Sequence, residues 1–460
     1  MNTYSRLFLS WISVNCGLLS LLVPAATPEL AQQGNIAPWL QLVQGNKARR
    51  TAALSVIEAN WRDDSAGKVV EILRSVQPGE LQNQLVSLIE SKTEARVGNS
   101  WGAWVRWLWN RPNEYSSSSL ELKRELHAGI DPRFRAYFRP EQEHRIRYDE
   151  IVWGGVRQNG IPPLRAPRMV DSESVRYLQD DNVVFGIVVK NQAYAYPQRI
   201  LAWHEMFVAQ LQGVELAGVY CTLCGSVILY ETNHQGVLHR LGTSGFLYRS
   251  NKLMFDEATQ SLWSTLEGEP VVGPLVGKGI RLRKRSVVKS TWGEWKRRYP
   301  STLVLAEETG FRRDYSEGAA YRDYFATDAL MFPVPGADAR LKNKAEVLGL
   351  EIGPERKRFA LGIDFLSQNG GYEGHYAGTN IVVIPNGIGG FHAYAGSGKI
   401  GGDRRLVDQH VFDASGRKWR VEESALHADD GSKWLRIPAH RAFWFGWHAA
   451  FPDTVLISGE

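Results

Sequence analysis

Thiols are almost missing from this chain: 460 residues hold three cysteines, Cys16, Cys221 and Cys224. A disulfide-rich scaffold is therefore excluded, and the apolar core has to hold the fold. Long apolar runs are scarce too. Beyond Val23, charged residues interrupt every hydrophobic stretch, so no later segment is long enough to cross a bilayer. A large charge excess of one sign is also absent. Lys and Arg total 54 against 49 Asp and Glu, a net charge of +5, which argues against a nucleic-acid partner. The basic run "RLRKRSVVK" (Arg281 to Lys289) reads as one solvated strand face. No Gly-x-Ser-x-Gly elbow, Walker loop, dinucleotide fingerprint or EF-hand loop occurs.

What is present begins with a leader. Arg6, the apolar stretch Leu7 to Val23, and the small residues Ala25, Ala26 and Ala31 predict a signal peptide over residues 1–31. Cys16 leaves with it. The mature protein is then expected to be periplasmic or secreted, in a compartment where a Cys-x-x-Cys pair tends to oxidise. No membrane span is expected once the signal is removed.

Residues 32–128 show Leu, Val and Ile at three- and four-residue spacing, as in "GKVVEILRSV" and "LQNQLVSLIES". This predicts a small all-α domain of HEAT-like, helical-repeat character. Trp101, Trp104, Trp107 and Trp109 then form an apolar face suited to docking on the next domain. From 129 to 460 the texture changes to short β-branched and aromatic runs bounded by Gly, Pro and Asn. The fold class is therefore α+β, with a β-rich main domain.

That domain carries an internal repeat. Residues 183–231 and 346–395 both read strand, turn, strand, short helix, Gly-rich break, strand, loop, strand. The second copy has Ile363-Asp364-Phe365 near the place of Trp203-His204-Glu205, and Pro385 to Gly390 in place of "CTLC". A residue found in one copy and missing from the other is dispensable to the fold.

His204 and the pair Cys221 and Cys224 fit this description, since a strand returning beside a helix can bring an imidazole and two thiols to one point. Two soft thiolates and one imidazole form a ligand set for copper, which softness favours, or zinc. Position 208 is Val, so His-Glu-x-x-His is not formed; Glu205 is left to orient His204 or act as a base. The block Gly242 to Pro274 adds pocket candidates: Ser244, Arg249, Ser250, Asn251, Asp256, Ser261 and Trp263, with Met254 a soft ligand. By periodicity alone a plain hairpin, with Gly and Asn in turns and Trp in the core, is the better reading of this block.

The blocks "WGGVRQNGIPPL", "AYPQRILAWHE", "VYCTLCGSVILYE", "GTSGFLYRSNKLMFDEATQSLWSTLEGEPVVGP", "LMFPV" and "FWFGWHAAFPDTVL" together resemble one exported bacterial family. It is catalogued as domain of unknown function 3179, and the resemblance runs from about Trp153 to Leu456. It implies homology and export, but no activity. It also marks the His-Glu and Cys-x-x-Cys as family blocks, with Thr222 standing where the family pattern carries proline.

Three functions follow from the residues. The first is a transition-metal protein using His204, Cys221 and Cys224. The second is a thiol–disulfide oxidoreductase using Cys221 and Cys224, although such pairs usually open a helix and this one ends a strand. The third is a non-catalytic, aromatic-rich binding module, which 16 Trp and 17 Tyr permit.

Overall fold

A computed structural model describes residues 35–112, 115–402, 404, 406–407 and 409–459. Residues 1–31, where the sequence predicts a signal peptide, lie with Cys16 outside the described residues.

The chain starts with helices Ala37–Gln44, Lys47–Ala59, Ser65–Ser75, Glu80–Thr93, Trp101–Trp109 and Ser117–Ala128. Local chemistry sets their ends: the side chains of Asn46, Ser100 and Ser116 accept from the free N–H groups of the first turns. Their apolar faces bury Leu42, Val69, Ile72, Leu85, Ile89 and Trp104 in one core. The tryptophan helix docks this bundle on the β part. Trp109 donates its indole N–H to the Asp149 carbonyl at 3.1 Å, and Val152 and Phe332 join the helical core.

The β part is built twice. In the first copy, strands Val183–Val189 and Gln192–Pro197 form a hairpin, followed by helix Gln198–His204. Strands Met206–Leu211, Val214–Cys221 and Ser226–Glu231 then make an antiparallel meander. In the second copy the same order appears as Glu346–Ile352, Lys357–Gly362, helix Ile363–Gln368, Tyr372–Tyr376, Thr379–Pro385 and Phe391–Gly396. The registers agree as well. Val219 faces Met206 where Val383 faces Tyr372, and Cys221 faces Ser226 where Pro385 faces Phe391.

The duplication runs further than the two segments first suggest. Each copy closes with a strand antiparallel to its first strand, a Trp-rich helix, and a short strand parallel to its second. These are Val288–Thr291, Trp292–Arg298 and Leu303–Leu305 in the first copy. In the second they are Ala439–Phe443, Trp444–Ala450 and Val455–Ile457. Trp295 packs on Gly186 and bonds the Thr302 hydroxyl at 3.0 Å; Trp447 packs on Gly349 and bonds Thr454 at 2.9 Å. A Cβ at either glycine would come within 2.2 Å of the ring atoms, so both positions need glycine.

Two details differ from the sequence expectation. The register places Ile363–Phe365 opposite the start of the first helix, and sets Gly371, not Phe365, at the position of Glu205. The run Arg281 to Lys289 is also no free solvated face. Arg281 pairs with Glu269, Arg283 and Arg285 with Glu231, Lys284 with Glu351, and Lys289 with Glu346. Lys284 and Lys289 thereby tie the first copy to the second, and burial pulls the Lys284 pKa down.

The copies grip each other reciprocally. The Cys221–Ser226 turn seats on the Phe443–Trp447 corner of the second copy: Phe443 donates its N–H to the Cys224 carbonyl at 2.7 Å. The matching Asn386–Gly390 turn seats on Val288 and Glu294 of the first.

Candidate functional site

The site forms where that first turn meets the end of helix Gln198–His204. Glu205 ends the helix in the left-handed region, with φ 55°, and its N–H closes on the Leu201 carbonyl at 2.6 Å. A side chain with a Cβ is disfavoured there, and strain of this kind collects at functional positions. Its carboxylate faces inward and collects three donors. Lys252 donates from Nζ at 2.7 Å, Thr222 from its hydroxyl at 2.9 Å, and Tyr321 from its hydroxyl at 3.2 Å. Glu205 and Lys252 are both buried, at 7% and 5% exposure. Burial pulls the Lys252 pKa down, with Glu205 acting against it, and pushes Tyr321 well above the usual phenol range.

Cys221 and Cys224 are joined as a disulfide across the turn, their Cα atoms 5.6 Å apart. Both are buried, at 2% and 1%. Cys221 lines a narrow cavity of about 50 Å³ together with Glu205, Lys252, Thr243, Tyr321 and Phe332. Cys224 faces the other way, against the second copy. A Cβ on Gly446 would lie 2.6 Å from the Cys224 Cβ, and Ser226 Oγ sits 3.4 Å from the sulfur.

The segment between the copies covers the pair. Tyr324 donates its hydroxyl to the Leu223 carbonyl at 2.7 Å, while Tyr324 and Val334 share an apolar cluster with both cysteines. The hairpin turn Arg249-Ser250-Asn251 pins this cover. Ser250 bonds the carbonyls of Phe332 and Pro333, Asn251 bonds the Gly446 carbonyl, and Arg249 pairs with Glu150.

His204 is engaged elsewhere. Its Nδ1 donates to the Pro162 carbonyl at 2.8 Å, which leaves Nε2 to accept from the Tyr315 hydroxyl at 2.6 Å. Burial lowers its pKa, so this neutral ring is self-consistent. The three ligands suggested by sequence are not brought together. The sulfurs are bonded to each other, and among the described residues no group of three His, Cys, Asp or Glu side chains is placed to hold a metal ion.

Of the remaining candidates, Met254 and Trp263 lie in the core with Met206. Asp256 meets His239 at 3.2 Å and the Thr259 hydroxyl at 2.9 Å, and Ser244 bonds the Leu253 carbonyl. They support the hairpin. Lys252, Thr222 and Tyr321 were missed. Lys252 carried a signal, since it is the single charge between Leu253-Met254-Phe255 and a turn, on a strand buried at every position.

The turn at Cys221, the Lys252 hairpin and the Gly446 corner thus come from three separate blocks that share one site. The chain belongs to the family described as a protein of unknown function, DUF3179. The family model matches residues 158–454, which takes in both copies except the closing strand Val455–Ile457 and leaves the helical region outside. No curated protein and no solved structure matches the chain. The DUF3179 part therefore holds Glu205, both cysteines, Lys252, Tyr321 and Gly446, while Glu150, which pairs with Arg249, lies just before it.

Proposed function

We propose that this protein is an exported thiol–disulfide oxidoreductase whose Cys221–Cys224 pair cycles between disulfide and dithiol. One observation carries the reading. Glu205 holds a left-handed backbone position that the second copy fills with Gly371, and its carboxylate binds a buried lysine on the cavity wall that Cys221 also lines. A purely structural disulfide has no use for that arrangement. A redox pair does, because a Cys221 thiolate released into that cavity is favoured by a positive charge and then needs a proton. The Lys252 ammonium donates to Glu205 and carries two further N–H groups for that purpose.

The chemistry is exchange. A donor thiolate attacks one sulfur, the Cys221–Cys224 bond breaks, and a second donor thiol releases the oxidised product. Two electrons and two protons pass from the donor thiols to the cysteines.

The test is equilibration in defined glutathione buffers, followed by alkylation and mass measurement. A reduction potential above about −300 mV is expected, since structural disulfides lie below that value. A lower potential would overturn the proposal. So would copper or zinc held one-to-one by the reduced protein and lost in Cys221→Ser, which would return the metal reading to first place.

A further inference from the structure

The two sulfurs have different surroundings, and the difference bears on what can reach them. Cys224 is sealed from both sides: in the second copy Phe443 bonds its carbonyl and Gly446 packs on its Cβ, and in its own copy Ser226 lies against the sulfur. Cys221 borders the cavity, whose outer residues Met331 and Phe332 are half-buried. We infer that the exchange partner is a small thiol that enters this cavity and attacks Cys221, and that the site is closed to dithiols carried on folded proteins. This rests on the redox reading above and names its substrate class.

Exchange needs the attacking sulfur on the far side of the bond it breaks, so which sulfur can be approached decides the course. A thiolate R–S⁻ in the cavity bonds to Cys221 Sγ, and the Cys221–Cys224 bond breaks. The electron pair leaves on Cys224, which takes a proton. A second R–S⁻ attacks the R sulfur of the mixed disulfide, R–S–S–R departs, and Cys221 is released as a thiolate into the cavity that Lys252 also lines, where it takes a proton. Two thiols are oxidised, one disulfide is reduced, and both thiol protons end on the cysteines. The return step is the reverse, with a small disulfide as oxidant.

A protein thiol faces a different obstacle. Its backbone would have to follow its sulfur into a space of about 50 Å³ walled in part by Tyr321 and Phe332, from the segment that covers the pair. That segment is fastened through Ser250 to the carbonyls of Phe332 and Pro333 and through Tyr324 to Leu223. Opening it costs local unfolding free energy that a small thiol does not pay.

The full-length protein is tested by following loss of the disulfide under 2-mercaptoethanol and under a reduced thioredoxin-type protein, at matched thiolate concentration. The small thiol is expected to react faster by on the order of tenfold or more, the factor set by an opening step of modest cost. In a second measurement, hydroxyethyl disulfide should label Cys221 in Cys224→Ser and leave Cys224 unlabelled in Cys221→Ser. Met331→Ala, which keeps both cysteines, should raise the rate with a bulkier thiol such as glutathione. Equal rates with the protein dithiol, or label on Cys224, would overturn the inference and leave the redox reading standing. No reduction by either thiol would remove both.

Discussion

Gly371 occupies, in the second copy, the backbone position that Glu205 occupies in the first. Each follows the short helix, closing on Leu366 and Leu201 respectively, and each precedes a strand in the same register. Both have positive φ, 109° and 55°. The fold asks for glycine here, and the first copy answers with a carboxylate.

Two opposing effects should meet in Glu205→Gly. Relief of the left-handed strain is worth about 1 kcal/mol, while a buried, unpaired Lys252 costs about 3–5 kcal/mol. The variant should lose about 2–4 kcal/mol in urea unfolding. Lys252→Met should lose stability as well, and the double variant should recover most of the deficit. Additive losses in the cycle would show that the pair is not energetically coupled.

Gly186→Ala and Gly349→Ala should behave alike, because Trp295 and Trp447 lie on them in the same way. Each is expected to cost about 1–3 kcal/mol by overpacking a closed core. Thermal unfolding of both variants is the check. A neutral result at one position only would mean that the two copies are packed differently.

Acid should weaken the fold before the carboxylates protonate. Burial holds His127 at about 4, and takes His392 and His440 well below 6.5. In His127 burial outweighs Glu71, whose carboxylate lies 3.8 Å from Nε2. The unfolded chain binds these protons at about 6.5, the folded chain does not, so stability is full above that pH and falls as it drops. Replacing His127 by Gln should flatten the loss between pH 6.5 and 4. An unchanged slope would assign that loss to other groups.

Export is expected to remove the segment ending near Ala26 or Ala31. The intact mass of protein recovered from the periplasm reads this directly, and retention of Met1 would refute it.

The duplication was legible because strand, turn and helix signals follow one another in both copies. Its full reach was legible too, in "WGEWKRRYPSTLVL" beside "WFGWHAAFPDTVLI", where Trp, Pro and Thr recur in step. The cysteine pair was found by its rarity. The Glu205–Lys252 pair was not, because its partners come from different blocks, and only the folded chain brings a helix end to a hairpin. The same limit produced the expectation for His204. Proximity of a helix to a strand was correct, but the ring turned to Pro162 and Tyr315, which no local spacing foretells.

The reciprocal seating of the two turns also sets an order of events. A chain made from its N-terminus completes the Cys221–Ser226 turn long before Phe443 and Gly446 exist to close over Cys224. Until the last strand and helix arrive, the Cys224 side of the pair stays open to whatever oxidant or reductant surrounds the chain, while Tyr324 and Val334 already cover the rest. The disulfide can therefore be installed from outside by a large catalyst during synthesis, and is withdrawn from such catalysts once the C-terminus docks. A chain cut before Ala439 would keep its cysteines permanently in the state that the finished protein passes through once.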